Sequence, residues 1–178
     1  GQWVMPFFMD SVNGRVVRRS IALSAGTEWA GELPAYREVV CTGTGLRGCA
    51  RAFLGRGALA VLSVLILIPP TRRLLQKTVF PAPGGGPTAD QRARGHFRIT
   101  IHDEERDEEL ATIVGNRDPG YGATAIMLGE AALLLAADTT DPAQQGERPT
   151  GVITPAIAYG TRIVPRLAQQ GIVIAAAD

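Results

Sequence analysis

Between Arg56 and Arg72 the chain carries no charged residue, and "ALAVLSVLILIPP", Ala58 to Pro70, is almost wholly aliphatic. Such a run has to leave water, and the ways it can do so limit what the rest of the chain can be. A bilayer span needs roughly 18 or more apolar residues, and this run is shorter. It is therefore either a buried helix or strand, or a hairpin-like dip into a membrane surface. Arg51 and Arg56 before it, and Arg72, Arg73 and Lys77 after it, suit the second picture, because cations flanking an inserted segment meet anionic headgroups. Pro69-Pro70 ends any helix that precedes it.

The remaining sequence has the means to build a core. With 178 residues, 46% of them hydrophobic, it makes one domain, or one and a part. A net charge of +1 gives no pull toward nucleic acid. The cations are nearly all arginine, with Lys77 the only lysine, which reads as a coding bias. Cys41 and Cys49 allow at most one disulfide and lack zinc-site spacing, so they are expected as reduced thiols in a cytoplasmic protein. The opening "GQWVMPFF" is not Met-initiated and has no secretory pattern, so a fragment or processed chain is expected.

Along the chain, "PFFMDSVNGRVVRRSIALSAG" reads as a helix, with Phe8, Val12, Val16, Val17 and Ile21 on one side, Pro6 in its first turn and Gly26 as its stop. "YREVVCTG" is a strand. "FPAPGGGPTADQRARG" is a linker or surface loop. "HFRITIHD" alternates as a half-buried strand, "EERDEE" turns, and "LATIVGNR" returns, so an antiparallel hairpin covers Gly95 to Arg117. "DPGYGATAIMLGEAALLLAAD" is the best helix, begun by Asp118 and Pro119. "DPAQQGERP" is a loop. The end is a short strand, a helix from about Pro155 that Pro165 kinks or divides, and a strand "IVIAA" after Gly171.

Few motifs carry chemistry. Gly43-x-Gly45-x-x-Gly48 follows a strand and opens an apolar segment, as a dinucleotide fingerprint does. That fingerprint also needs a second strand and an acidic residue about 20 positions on to hold the ribose. No Asp or Glu occurs between Glu38 and Asp90. Gly43, Gly45 and Gly48 are therefore expected to form a tight turn, a decoy rather than a cofactor site. The acidic stretch Asp103 to Glu109 reads as a solvated loop tip, and no metal site is expected. His96 and His102 read as surface histidines. Walker, nucleophile-elbow and His-x-x-x-His patterns are absent from the sequence.

Five segments together resemble a known family. "GVITPAIAYGTRIVPRLAQQGI" is similar to the closing motif of the saccharopine dehydrogenase-like oxidoreductases, and "DPGYGATAIMLGEAALLLA" to the helix before it. "GHFRITI" resembles the family's Gly-x-Phe-Arg strand. "PFFMDSVNGRVVRRSIAL" and "YREVVCTG" also look like family segments, in the family's order. The resemblance implies an α+β fold, with a mostly antiparallel sheet and packed helices. It makes this chain the C-terminal part of a two-domain oxidoreductase whose N-terminal Rossmann domain, the holder of NAD(P), is missing here. Residues 1–117 would be an α+β substrate or interaction domain. Residues 118–178 would pack back on the missing domain, and without it they are left prone to association, homodimers included. The likeness is nearer to trans-acting enoyl reductases than to true saccharopine reductases, because the apolar run suits a lipid-like acyl substrate.

What the resemblance implies is reduction of a lipid-like or polyketide enoyl or carbonyl substrate by NAD(P), the fragment alone being inactive. Candidates near the domain junction are Asp118, Tyr121 and Thr124, with Tyr159 a second phenol. Each also has a plain structural role: cap, packing or helix filler. The alternatives are a non-catalytic peripheral membrane or lipid-binding module, a saccharopine-type amino acid dehydrogenase, and a self-contained dinucleotide binder using Gly43 to Gly48.

Overall fold

The computed structural model describes residues 1–24, 35–82, 84–140 and 151–177, with backbone alone at 138–140. The stop expected at Gly26 and the loop at 141–149 lie outside these residues. Two compact units divide the chain, Gly1–Gly86 and Pro87–Asp178. The functional boundary expected at 117/118 falls inside the second unit.

In the first unit, β1 (Trp3–Pro6) pairs antiparallel with β2 (Val39–Gly43), from Trp3 opposite Gly43 to Pro6 opposite Val39. The sequence reading put Pro6 in a helix. It ends a strand of a two-stranded sheet instead, an edge position where its missing N–H costs little. The helix starts later, as α1 (Asp10–Leu23). Glu38 ties it to the approach to β2. The Glu38 N–H donates to Asp10 Oδ1 at 2.7 Å, Asn13 Nδ2 donates to Glu38 Oε2 at 2.9 Å, and the Tyr36 hydroxyl donates to Glu38 Oε1 at 2.8 Å.

After β2 a single helix, α2 (Gly45–Leu67), runs without a break. Its first turns face the sheet through small residues. Gly48 and Ala52 are buried, and a Cβ on Gly55 would collide with the Met5 sulfur. Trp3 leans on Phe53 from the strand, ring centroids 6.5 Å apart. Pro69-Pro70 ends α2 and also opens α3 (Pro69–Thr78), where prolines fit because first-turn N–H groups have no helical partner. The Thr71 hydroxyl lies 2.5 Å from the Leu65 carbonyl, an acceptor that the end of α2 leaves open, and 2.9 Å from the Ile68 carbonyl, which also accepts the Arg72 N–H.

The apolar run departs from the buried reading. It is helical and joined to the segment before it, so the helix as a whole is long and apolar enough to cross a membrane by length and composition. Almost none of its apolar window is buried. The uncharged run by itself is shorter than a span, but the helix passes straight through Arg56 and takes in the residues before it.

The second unit opens with α4 (Ala89–Arg94), inside what the sequence reading left as a linker. Thr88 and Gln91 close a capping box: the Gln91 N–H donates to Thr88 Oγ1 at 3.2 Å and the Thr88 N–H to Gln91 Oε1 at 2.8 Å. The hairpin is present as β3 (Phe97–Asp103) and β4 (Glu108–Gly115), and β5 (Ile172–Ala176) adds antiparallel to β4. Both sheets are therefore small and antiparallel and carry packed helices, an α+β arrangement. Helix α5 (Gly122–Thr140) follows β4. Residues 151–154 form no strand. The last helical region is divided twice: Gly160, at φ +53°, ends α6 (Pro155–Tyr159), and after a 3-10 turn (Gly160–Ile163) Pro165 takes the first turn of α7 (Val164–Gln169).

The core sits at one end of the three-stranded sheet. Phe97, Gly115 and Ile172 lie side by side across it. Gly115 has no room for a Cβ because the Phe97 ring lies over it. Ala123, Leu167 and Ile172 are buried there, with Ile113, Ile126, Ile163 and Ile174 packed around them. A carboxylate clamps α5 to α7: Glu130 accepts from Arg166 Nε at 2.8 Å and from Gln170 Nε2 at 3.1 Å.

Candidate functional site

Three of the four sequence candidates meet at the start of α5, beside that core. Asp118 holds the turn. Its Oδ2 accepts from the N–H groups of Tyr121 and Gly122, at 2.6 and 3.2 Å, and its own N–H donates to the Arg92 carbonyl at 3.0 Å. The site is closely built: a Cβ on Gly95 would meet the Asp118 backbone at 2.3 Å. The backbone donor at Tyr121 holds the Asp118 carboxyl below its ordinary value. Burial opposes this and is second in size to the Tyr121 donor, and the N–H groups of Gly122 and Gly120 and the Arg92 charge then lower the value further. Asp118 is therefore ionised at neutral pH and suited to accept and cap, not to give up a proton. The Thr124 hydroxyl donates to the Pro119 carbonyl at 2.9 Å, a turn-closing bond. The Tyr121 side chain is 54% exposed, so its phenol is within reach of a ligand.

Tyr159 stands apart in sequence, at the end of α6, half-buried, and its carbonyl accepts from Arg162 Nε at 3.3 Å. Thr154, which precedes α6, is buried.

The glycine motif of the first unit has the local order strand, turn, helix. Gly43 and Gly45 take positive φ, +103° and +62°, which favours glycine. Gly48 has a packing duty: a Cβ there would lie 2.4 Å from the Gly43 carbonyl oxygen. A pyrophosphate site of the dinucleotide type does not fit the surroundings. Among the described residues β2 pairs only with antiparallel β1, α2 is followed by α3 rather than by a parallel strand, and no acidic residue lies in the sequence between Glu38 and Asp90. These features support a turn and a close helix–strand contact.

Two polar arrangements had no local sequence signal. The Asp10–Asn13–Tyr36–Glu38 cluster joins residues 25 and 28 positions apart, and the Glu130–Arg166–Gln170 clamp joins residues 36 and 40 apart. In the first, burial, the hydrogen bond to Glu38 and the charges of Glu38 and Asp10 push the Tyr36 phenol up to about 12. It is a poor acid and reads as part of a fastening. At the β3–β4 turn, Asp103 Oδ1 accepts from the N–H groups of Glu105 and Arg106 at 2.9 and 3.2 Å, which orders the acidic tip as a turn. Among the described residues no three His, Cys, Asp or Glu side chains cluster as a metal site. Cys41 and Cys49 are free thiols.

With the geometry in view, the chain is similar along nearly its whole length to proteins named trans-acting enoyl reductases. It is 35% identical over 97% of its length to a provisionally named trans-acting enoyl reductase of Mycobacterium tuberculosis strain H37Rv. It is 34% identical over 99% to a trans-acting enoyl reductase of Mycobacterium ulcerans and 32% identical over 98% to another of Mycobacterium tuberculosis. The chain spans 41% of the length of each of these relatives. No family model and no solved structure matches it.

Proposed function

We propose that this chain is the C-terminal part of an NAD(P)-dependent, saccharopine dehydrogenase-like oxidoreductase that reduces a lipid-like or polyketide enoyl or carbonyl substrate. The observation that carries this reading is the similarity, over 97% of the chain, to proteins named for enoyl reduction. The nicotinamide, held by a Rossmann domain outside this chain, would supply hydride. This chain would supply substrate contacts and a proton. The exposed Tyr121 phenol is the favoured donor, on a turn fixed by Asp118, with Tyr159 as the second phenol. Asp118 and Thr124 act as positioning groups, because one is an ionised cap and the other closes the same turn.

Helix α5 adds support. It is apolar on all sides, a pattern that belongs to a helix covered all round. Yet Leu128, Leu133 and Leu135 are exposed. Further protein packed on α5, as a returning C-terminal segment requires, would cover them.

The test compares the 178-residue chain with a protein extended to the relatives' length. Loss of NADPH absorbance is followed with an enoyl-acyl thioester and a β-ketoacyl thioester, and gain of NADPH absorbance with NADP+ and saccharopine. The extended protein turns over an acyl substrate and the 178-residue chain does not. Turnover of saccharopine alone selects the amino acid dehydrogenase reading, and turnover by the short chain removes the division of labour. Tyr121→Phe in the extended protein lowers kcat by a factor of about 100 or more, the usual contribution of a general acid.

A further inference from the structure

We infer that the C-terminal half of α2, together with α3, is a one-leaflet membrane anchor for surfaces rich in anionic lipid. Three observations carry this. The first is exposure. Beyond the part packed on β1 and β2, the helix presents Val61, Val64 and Leu67 to solvent, Leu67 at 79%. Ile68, Leu74, Val79 and Phe80 continue the exposed apolar surface through and past α3.

The second is charge. From Val39 to Ala89 the sequence holds Arg47, Arg51, Arg56, Arg72, Arg73 and Lys77 and no acidic residue. A solvent face of a near-neutral protein would mix signs. An apolar tip ringed by cations alone complements a negatively charged bilayer.

The third is length. Gly48, Ala52 and Gly55 commit the first half of α2 to the strands, and Arg56 is the last charge before the tip. From Gly57 to Leu67 the helix is about 16 Å long at about 1.5 Å per residue. The hydrocarbon core of a bilayer is about 30 Å thick. Even upright, the free part would reach only about half-way, although the whole helix has the length of a span. Pro69-Pro70 then turns the chain, and Arg72 and Arg73 follow within four residues of the turn, so the free part enters tilted and shallow, with Arg72, Arg73 and Lys77 snorkelling to headgroup depth. The exposed apolar surface of α5 differs: its helix carries Glu130 and no cation, which gives no attraction to such a surface.

The experiment is flotation of the 178-residue chain with vesicles of phosphatidylcholine alone and of phosphatidylcholine with 30% phosphatidylglycerol, from about 50 to 500 mM salt. Binding is expected on the anionic vesicles, weakening with salt. Val64→Glu with Leu67→Glu lowers the partition coefficient at least tenfold. Both sites are exposed, and an unchanged circular dichroism spectrum shows the fold retained. Arg72→Gln with Arg73→Gln lowers it roughly fivefold per cation on anionic vesicles and has little effect on neutral ones. Equal flotation of the Glu variant and the parent overturns the anchor. So does equal binding to neutral and anionic vesicles. Resistance to alkaline carbonate extraction indicates a span and overturns the one-leaflet geometry. Self-association abolished by the Glu pair, with no flotation of the parent, assigns the face to a second copy instead.

Discussion

Substituting Gly48 by Ala tests whether the glycine motif is a packing device. The new Cβ would stand 2.4 Å from the Gly43 carbonyl oxygen, 2.5 Å from its carbon and 3.3 Å from the Trp3 ring. Two of these neighbours are backbone and cannot rotate away. Carbon contacts settle near about 3.5 Å, so α2 has to withdraw from β2 by about 1 Å. Overpacking of this kind costs about 1–3 kcal/mol. Removing a helical glycine returns about 0.5–1 kcal/mol. The net expectation is a loss of about 0–2.5 kcal/mol against the parent, and of about 1–3 kcal/mol against a helical Gly→Ala change with no clash. Gly57→Ala is the control: it lies in the same helix with nothing within 4 Å of its Cβ, so it gains the helical term alone, about 0.5–1 kcal/mol. Gly55→Ala falls between them, because its close neighbour is the flexible Met5 thioether. Urea unfolding followed by far-UV circular dichroism, with the near-UV signal of Trp3 as a local reporter, measures all three. A Gly48→Ala protein as stable as Gly57→Ala refutes the packing argument. Binding of NADP by the 178-residue chain, abolished by Gly45→Val, would restore the nucleotide-loop reading.

The other predictions rest on separate fastenings. The Glu130 side chain is 12% exposed and Arg166 is 36% exposed, so a double-mutant cycle with Glu130→Ala and Arg166→Ala should give a coupling of about 1–2 kcal/mol. Additivity within about 0.3 kcal/mol would show that the clamp is only a surface pair. Tyr36 should titrate near pH 12 by phenolate absorbance, with Glu38→Gln lowering it. Because the folded value is raised, its contribution to stability is complete below about pH 10 and is lost as pH climbs toward 12; loss beginning below pH 9 would contradict this. Asp118 has a lowered folded value, so its contribution is present above about pH 4 and disappears only on further acidification. Asp118→Asn should flatten that acid limb in thermal scans, and in the extended enzyme it should leave the pH profile between 6 and 8 unmoved. A shifted profile would make Asp118 a proton carrier.

Most elements were legible because their signals are local. The alternation of "HFRITI" fixes β3, Asp118-Pro119 starts α5, and Pro165 marks the start of α7. The Thr88-Ala-Asp-Gln91 box was also local, but the prolines and glycines before it led to a loop being read there. Trp3–Pro6 was misread for a different reason: the strand exists only because Val39–Gly43, more than 30 residues away, pairs with it. Of the candidate site, the turn Asp118–Tyr121–Thr124 was visible as a helix start. Its attachment to Gly95 and Arg92 was not, since that contact depends on the hairpin folding back. Neither was the Glu130 clamp, whose members show no common spacing.

The two exposed apolar helices call for different coverings, and their charges say which. Helix α5 carries one acidic side chain in its apolar length, and that one is already spent on Arg166 and Gln170. Its remaining exposed surface, Leu128, Leu133 and Leu135, is uncharged, which suits another protein surface with its own apolar face. Helix α2 has a comparable apolar surface framed by Arg51, Arg56, Arg72, Arg73 and Lys77, with no acid to neutralise them. A protein face covering it would bury or crowd those cations and would need acidic partners for each. A bilayer surface needs no such match, because the same lipids offer hydrocarbon to the tip and phosphate to its rim. One occupant for both helices would have to satisfy different electrostatic demands. Salt therefore separates them: raising ionic strength should release α2 from vesicles while leaving any protein contact at α5 intact.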